Sequence, residues 1–287
     1  MNRRSAIRTL VFLHLSCAVV MAFGCERSAT PAGTLPPNPL AHVAASNSYL
    51  EAALIDLVGE GSQPLRLAEP GMCPGHFDIR PSQVSALRAC RVLVRFDFQQ
   101  SLDDKLRPLS RDGLQIASIR PAGGLCEPSS YLATCRQVAE PLVDAGILSA
   151  EAVQRRIAEI EARMGEHEQW CRRQMRQAAL EGKNAVCSPH QEAFCRWLGL
   201  NVVATFAGAD SASIGDIETA VREGEHAKVG IVVANLPEGR RLADALGQRL
   251  GAKVVVFGNF PDGADGKVSF DALMTANVTS LVKAATP

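Results

Sequence analysis

Two short stretches set a cysteine and a histidine three residues apart around a proline: "GMCPGHFDIRPSQ" (71–83) and "CSPHQEAFC" (187–195). Each breaks regular structure and then leads into a helical pattern. Three chemistries fit the C-x-x-H spacing. As a metal site, His76 and His190 would each donate one nitrogen, with carboxylates or a thiolate completing four ligands; imidazole suits zinc, manganese and iron, and thiolate would bias toward zinc or copper. As a redox site, the motif needs a low-pKa thiol at a helix N-terminus, and the chain has no C-x-x-C. As structure, Cys73 and Cys187 could close disulfides that brace long loops.

The metal reading leads because both histidines fall at strand ends in a repeated plan. From residue 41 onward apolar runs alternate with helical periodicity. Strands are expected at 42–46, 64–69, 91–96 and 114–119, with helices ending near Gly59, following Pro81, and running from about Tyr131 to Asp144. The second half repeats this, with strands at "NAVCS", "NVVATF", "KVGIVVAN" and "KVVVFGN", each followed by a helical pattern. Strands alternating with helices of this length give right-handed βαβ units. The expected fold is α/β, two Rossmann-like lobes with mainly parallel sheets. Between them "SAEAVQRRIAEIEARMGEHEQWCRRQMRQAALEG" (149–182) reads as one linker helix, started at Ser149 and stopped at Gly182. Val153, Ile157, Ile160 and Met164 recur on it at helical spacing, and His167 is expected on its solvated face.

In open parallel sheets ligands gather beyond the carboxyl ends of the strands. There the sequence sets His76 after the second strand, Asp97 after the third, and Cys126 with Glu127 after the fourth. In the second lobe His190 follows the first strand, Asn235 the third, and Asn259 with Asp262 the fourth. Both C-x-x-H loops therefore aim at the cleft between lobes. The set Ser188, His190, Glu192 lacks a nucleophile elbow, "GNFPDGADGK" misses the P-loop spacing, and no G-x-G-x-x-G follows a strand. His42 and His226 read as surface positions.

Composition narrows the class. Of 287 residues 47% are apolar and only 5% aromatic, which favours α/β packing over a sandwich. Lys+Arg and Asp+Glu are both 30, with no basic stripe, so nucleic acid is not an expected partner. "MNRRSAIR" followed by "TLVFLHLSCAVVMAFG" reads as a signal peptide over 1–25, with "RRSAIR" resembling a twin-arginine signal. Gly24-Cys25 resembles a bacterial lipoprotein site, where the cysteine is acylated after cleavage; a plain secretory peptide is the alternative. A Pro-rich tether (26–40) would lift the body from the membrane. The plan is thus a lobe over 41–148, the linker helix over 149–182 and a lobe over 183–287. Seven body cysteines in an oxidising compartment leave at least one thiol over.

The stretches "EPGMCPGHFDIRPSQVSAL", "SPHQEAFCRWLGLNVV" and "SIGDIETAV", in this order and with the long helix, resemble the metal-receptor (solute-binding) proteins of ABC transporters for zinc, manganese or iron. The resemblance covers about 41 to 285. It implies a cleft metal held by three histidines and a carboxylate, or two of each, with His76 on the first histidine and His190 on a later one. Ser129 stands where a Pro-His pair is usual, and Asn259 where the terminal carboxylate is usual. Glu127 and Asp262 are the carboxylates nearest those places, and Cys126 adjoins the first. The metal residues expected are therefore His76, His190, Glu127 and Asp262. The resemblance implies an exported, monomeric, lipid-anchored receptor that is no enzyme and passes a divalent transition metal to a permease. A receptor for a chelate or small organic ligand, and a periplasmic metal-thiolate protein without a transporter, stay open as alternatives.

Overall fold

The computed structural model describes residues 38–70, 72, 78–263 and 268–285. The signal peptide, most of the tether, Cys25, Cys73 and His76 lie outside them. The first lobe runs β1 (Val43–Ala45), α1 (Ser48–Val58), β2 (Leu65–Arg66), α2 (Pro81–Leu87), β3 (Val92–Phe96), α3 (Ser101–Arg111), β4 (Gln115–Ile119) and α4 (Pro128–Asp144). After α5 (Ala150–Gln177) the second runs β5 (Asn184–Cys187), α6 (Pro189–Trp197), β6 (Asn201–Thr205), α7 (Ile214–His226), β7 (Ile231–Asn235), α8 (Arg241–Leu250), β8 (Lys253–Phe257) and α9 (Phe270–Ala285). The sheets have orders β2-β1-β3-β4 and β6-β5-β7-β8, all pairs parallel. This is the two-lobed α/β fold expected, made twice on one plan.

Side-chain alternation along the strands divides each sheet between two cores. In β3, Val92, Val94 and Phe96 enter a central core while Leu93 faces outward to Leu102, Leu106 and Leu109 of α3. In β7, Ile231 and Val233 enter that same central core while Val232 and Ala234 face Ala220, Ala243 and Leu246 of α7 and α8. The central core is continuous through both lobes, and α5 inserts Ile160, Met164, Cys171 and Met175 into it.

Local chemistry explains the element starts. Asn47 caps α1, its Oδ1 accepting from the backbone N–H of Tyr49 and Leu50 at 3.0 and 3.1 Å. Ser149 caps α5, and Ser213 with Asp216 makes a capping box on α7. Among the elements, three findings differ from the sequence reading. Helix α3 was not expected, because Pro108 lies inside it. Helix α5 stops at Gln177, where Ala179 takes a left-handed φ of 51°, so Gly182 is not its stop. The fold also begins before residue 41, since Asn38 hydrogen-bonds both backbone groups of Gln63 and Leu40 is fully buried.

One polar cluster spans both lobes. Arg163 of α5 contacts Asp56 of α1, and its Nε lies 3.1 Å from Asp271 Oδ2 on α9. Tyr131 donates its hydroxyl to Asp56 at 2.6 Å. His167 Nε2 lies 3.1 Å from Asp271 Oδ2, so this histidine packs between helices instead of facing solvent.

Candidate functional site

The strand orders put a topological switch point beside β1 and β3 in one lobe and beside β5 and β7 in the other. In the first lobe that place is filled by Ser46, Asn47 and Gln99, buried and hydrogen-bonded to one another. In the second lobe it carries exposed chemistry. Ser188 caps α6, accepting from His190 N–H at 3.2 Å, and Pro189 takes the first helical position. His190 therefore stands on the first turn, with a side chain 63% exposed.

Its neighbour is Glu238, from the 3₁₀ turn Leu236–Glu238 that follows β7. His190 Nε2 and Glu238 Oε1 are 3.6 Å apart, while Glu238 Oε2 accepts the Ser188 hydroxyl at 2.6 Å. Two ligands each about 2.0–2.1 Å from a tetrahedral zinc would stand roughly 3.3 Å from each other. The pair is thus close to the separation needed to share a metal. Sequence reasoning missed Glu238, whose only signal was its place just beyond a strand end.

Beneath this pair the floor is neutral. Gln191 Nε2 donates to Asn235 Oδ1 and Asn259 Oδ1, both at 3.0 Å, and Asn259 Nδ2 lies 3.2 Å from Asn235 Oδ1. All three are buried. Asn259, at the place where the resemblance expects a carboxylate, is an amide tied into the floor, and Asp262 further on is exposed.

The loop after β4 meets α6 from the other lobe. Glu127 Oε1 accepts the Gly124 N–H at 3.1 Å, at the entrance to α4. A side chain at Gly124 would lie 2.9 Å from Ala193 Cβ and 2.7 Å from Glu127 Oε1, so glycine is what lets this loop close on α6. Cys126 is fully buried, its thiol 3.1 Å from the Gly258 carbonyl and 3.5 Å from Asn277 Nδ2. Burial pushes this thiol well above its ordinary pKa. Cys187 points into the central core, and the six described cysteines are free thiols, all buried. Among the described residues no three histidines, cysteines or carboxylates converge to hold a metal. Of His190, Glu127 and Asp262, His190 is paired with a carboxylate, that of Glu238.

Comparison with known proteins bears on the family and the fold. Residues 126–284 match the family model described as zinc-uptake complex component A, periplasmic (ZnuA). No protein of curated function matches the chain. Among solved structures, the Mn-bound periplasmic metal-binding protein of Candidatus Liberibacter asiaticus superposes with a TM-score of 0.72 at 11% identity, over 85% of this chain and 99% of that one. A ZnuA crystal structure gives 0.70 at 14% identity, over 85% and 98%. A zinc-bound ZnuA deletion mutant gives 0.67 at 12%, again over 85% and 98%. These likenesses establish a shared fold, and the family model covers more than half of the chain: this protein belongs to the zinc-uptake complex component A family.

Proposed function

We propose that this protein is an extracytoplasmic receptor, not an enzyme, that captures a divalent transition metal between its lobes and delivers it to an ABC permease. Zinc is the first candidate, with manganese or iron as alternatives. Membership in the family supports the role, and the His190–Glu238 pair carries the site. In this reading His190 supplies a nitrogen and Glu238 an oxygen from one lobe, while Ser188 holds Glu238 in place. His76 supplies the second imidazole from the 71–83 loop, and Glu127 and Asp262 are the flanking carboxylates. Protonated imidazole has no lone pair to give, so metal affinity falls as the solution is acidified.

Calorimetric titration with zinc and with manganese tests the site. His190→Ala and Glu238→Gln are each expected to weaken binding by about 10–100-fold or more, with His42→Ala and His226→Ala near wild type. Unchanged binding in both cleft variants would transfer the role to a chelate or small organic ligand. The same reading includes a monomer exported by its first 25 residues and acylated at Cys25. Cys25→Ser then moves the protein from the membrane fraction to the soluble one. Equal partitioning of wild type and variant would remove the anchor from this account.

A further inference from the structure

A second pocket lies at the opposite end of the second lobe, where β5, β7 and β8 begin and α5 and α9 end. Its volume is about 650 Å³, within the range of small-molecule sites. Lys183, Lys228 and Lys253 stand on its rim, and Leu180, Val255 and Leu281 form apolar wall. None of its lining residues is acidic. The chain has 24 arginines and only six lysines, so half of its lysines ring this one pocket. The arginines are widely ion-paired, whereas Lys105 with Asp78 is the only lysine in an ion pair among the described residues.

Helix electrostatics accounts for two of the three lysines. Lys228 follows α7 and offsets the negative C-terminal end of that helix. Lys253 likewise lies just past the end of α8, capped at Gly251, whereas Lys183 stands six residues beyond α5, before β5. Three full positive charges around one concavity, lined by polar and apolar groups alike, outweigh the partial negative charges of the helix ends beside them and leave a positive potential in it. Lysine meets phosphate oxygens as a point charge, whereas planar carboxylate recognition favours the arginine fork this chain otherwise uses. An inorganic ion alone would leave the Leu180, Val255 and Leu281 wall unused.

We propose that this pocket binds a phosphate ester bearing an apolar group, its phosphate among Lys183, Lys228 and Lys253 and its apolar part against that wall. The ester could come from an anionic membrane lipid or from a soluble alkyl or acyl phosphate, and the test separates them. Full-length protein carrying Cys25→Ser, so that no acyl anchor contributes, is titrated with inorganic phosphate, with dihexanoyl phosphatidic acid below its micelle concentration, and with phosphatidylcholine vesicles containing phosphatidylglycerol. Dihexanoyl phosphatidic acid is expected to bind about tenfold or more tighter than phosphate, and the Lys183→Gln/Lys228→Gln/Lys253→Gln variant to lose about tenfold or more of that affinity. Zinc binding by this variant, unchanged from wild type, shows that it is folded and keeps the pocket separate from the cleft. Vesicle binding that the variant loses assigns the membrane source; binding of the soluble ester without vesicles assigns the other. Equal affinity for phosphate and ester, a variant that binds like wild type, or no binding of the ester would each overturn the proposal.

Discussion

At the scale of single residues, the chemistry of this protein separates exposed donors from buried, silenced ones. Burial pushes the Cys171 thiol up to about 12 and raises those of Cys90, Cys126 and Cys135, while the hydrogen bond with Cys187, and then burial, raises that of Cys195. Iodoacetamide at pH 8 is therefore expected to leave these five unmodified in the folded protein and to label them once urea unfolds it, as peptide mass spectrometry would read. Glu51 is a carboxylate held against its preference. Burial raises its pKa, and the bond to Arg66 only partly offsets this. A raised folded value means the native state binds the proton better, so the associated stability is present below the unfolded carboxylate range and is lost as pH rises through the folded value. Glu51→Gln should flatten the fall in urea midpoint as pH rises above the ordinary carboxylate range; parallel profiles for wild type and variant would count against this. His190 was legible in the sequence because Pro189 and a strand end fix its place. Glu238 was not, because a turn 48 residues later in the chain brings it there.

The elements were largely readable, for a physical reason: the inner strands β1, β3, β5 and β7 are mostly apolar, since both of their faces are covered. Helix α3 escaped because Pro108 obscures the spacing of Leu102, Leu106 and Leu109, which the outer core nevertheless uses. Helix ends were less legible than starts. Caps such as Ser149 announce themselves by side chain, whereas the left-handed turn at Ala179 has no glycine to mark it. A Cβ in that region costs about 1–2 kcal/mol, so Ala179→Gly is expected to stabilise the protein by roughly 1 kcal/mol in urea unfolding. Gly124→Ala acts in the opposite sense. Its methyl group would meet Ala193 and Glu127, prising the loop from α6, and about 1–3 kcal/mol of stability should go with that contact.

At the scale of the whole molecule, α5 and its polar cluster limit how far the lobes travel. The helix spans about 42 Å, and bending it would break several backbone hydrogen bonds together. Arg163 adds a clasp between α1 and α9. Metal loading is expected to leave the radius of gyration nearly constant in solution scattering, with rearrangement confined to loops at the cleft; a change of several ångströms would contradict this. The central core carries a different consequence. Tyr49, Phe96 and Tyr131 of one lobe and Phe194, Phe257 and Phe270 of the other belong to one continuous cluster, and Tyr131 stacks directly on Phe270 at 4.0 Å between ring centroids. Neither half can melt while the other keeps its packing. Heating should therefore give one calorimetric peak whose van't Hoff and calorimetric enthalpies agree, and zinc should move that peak as a unit, so ligand capture at one edge protects both halves from proteolysis alike.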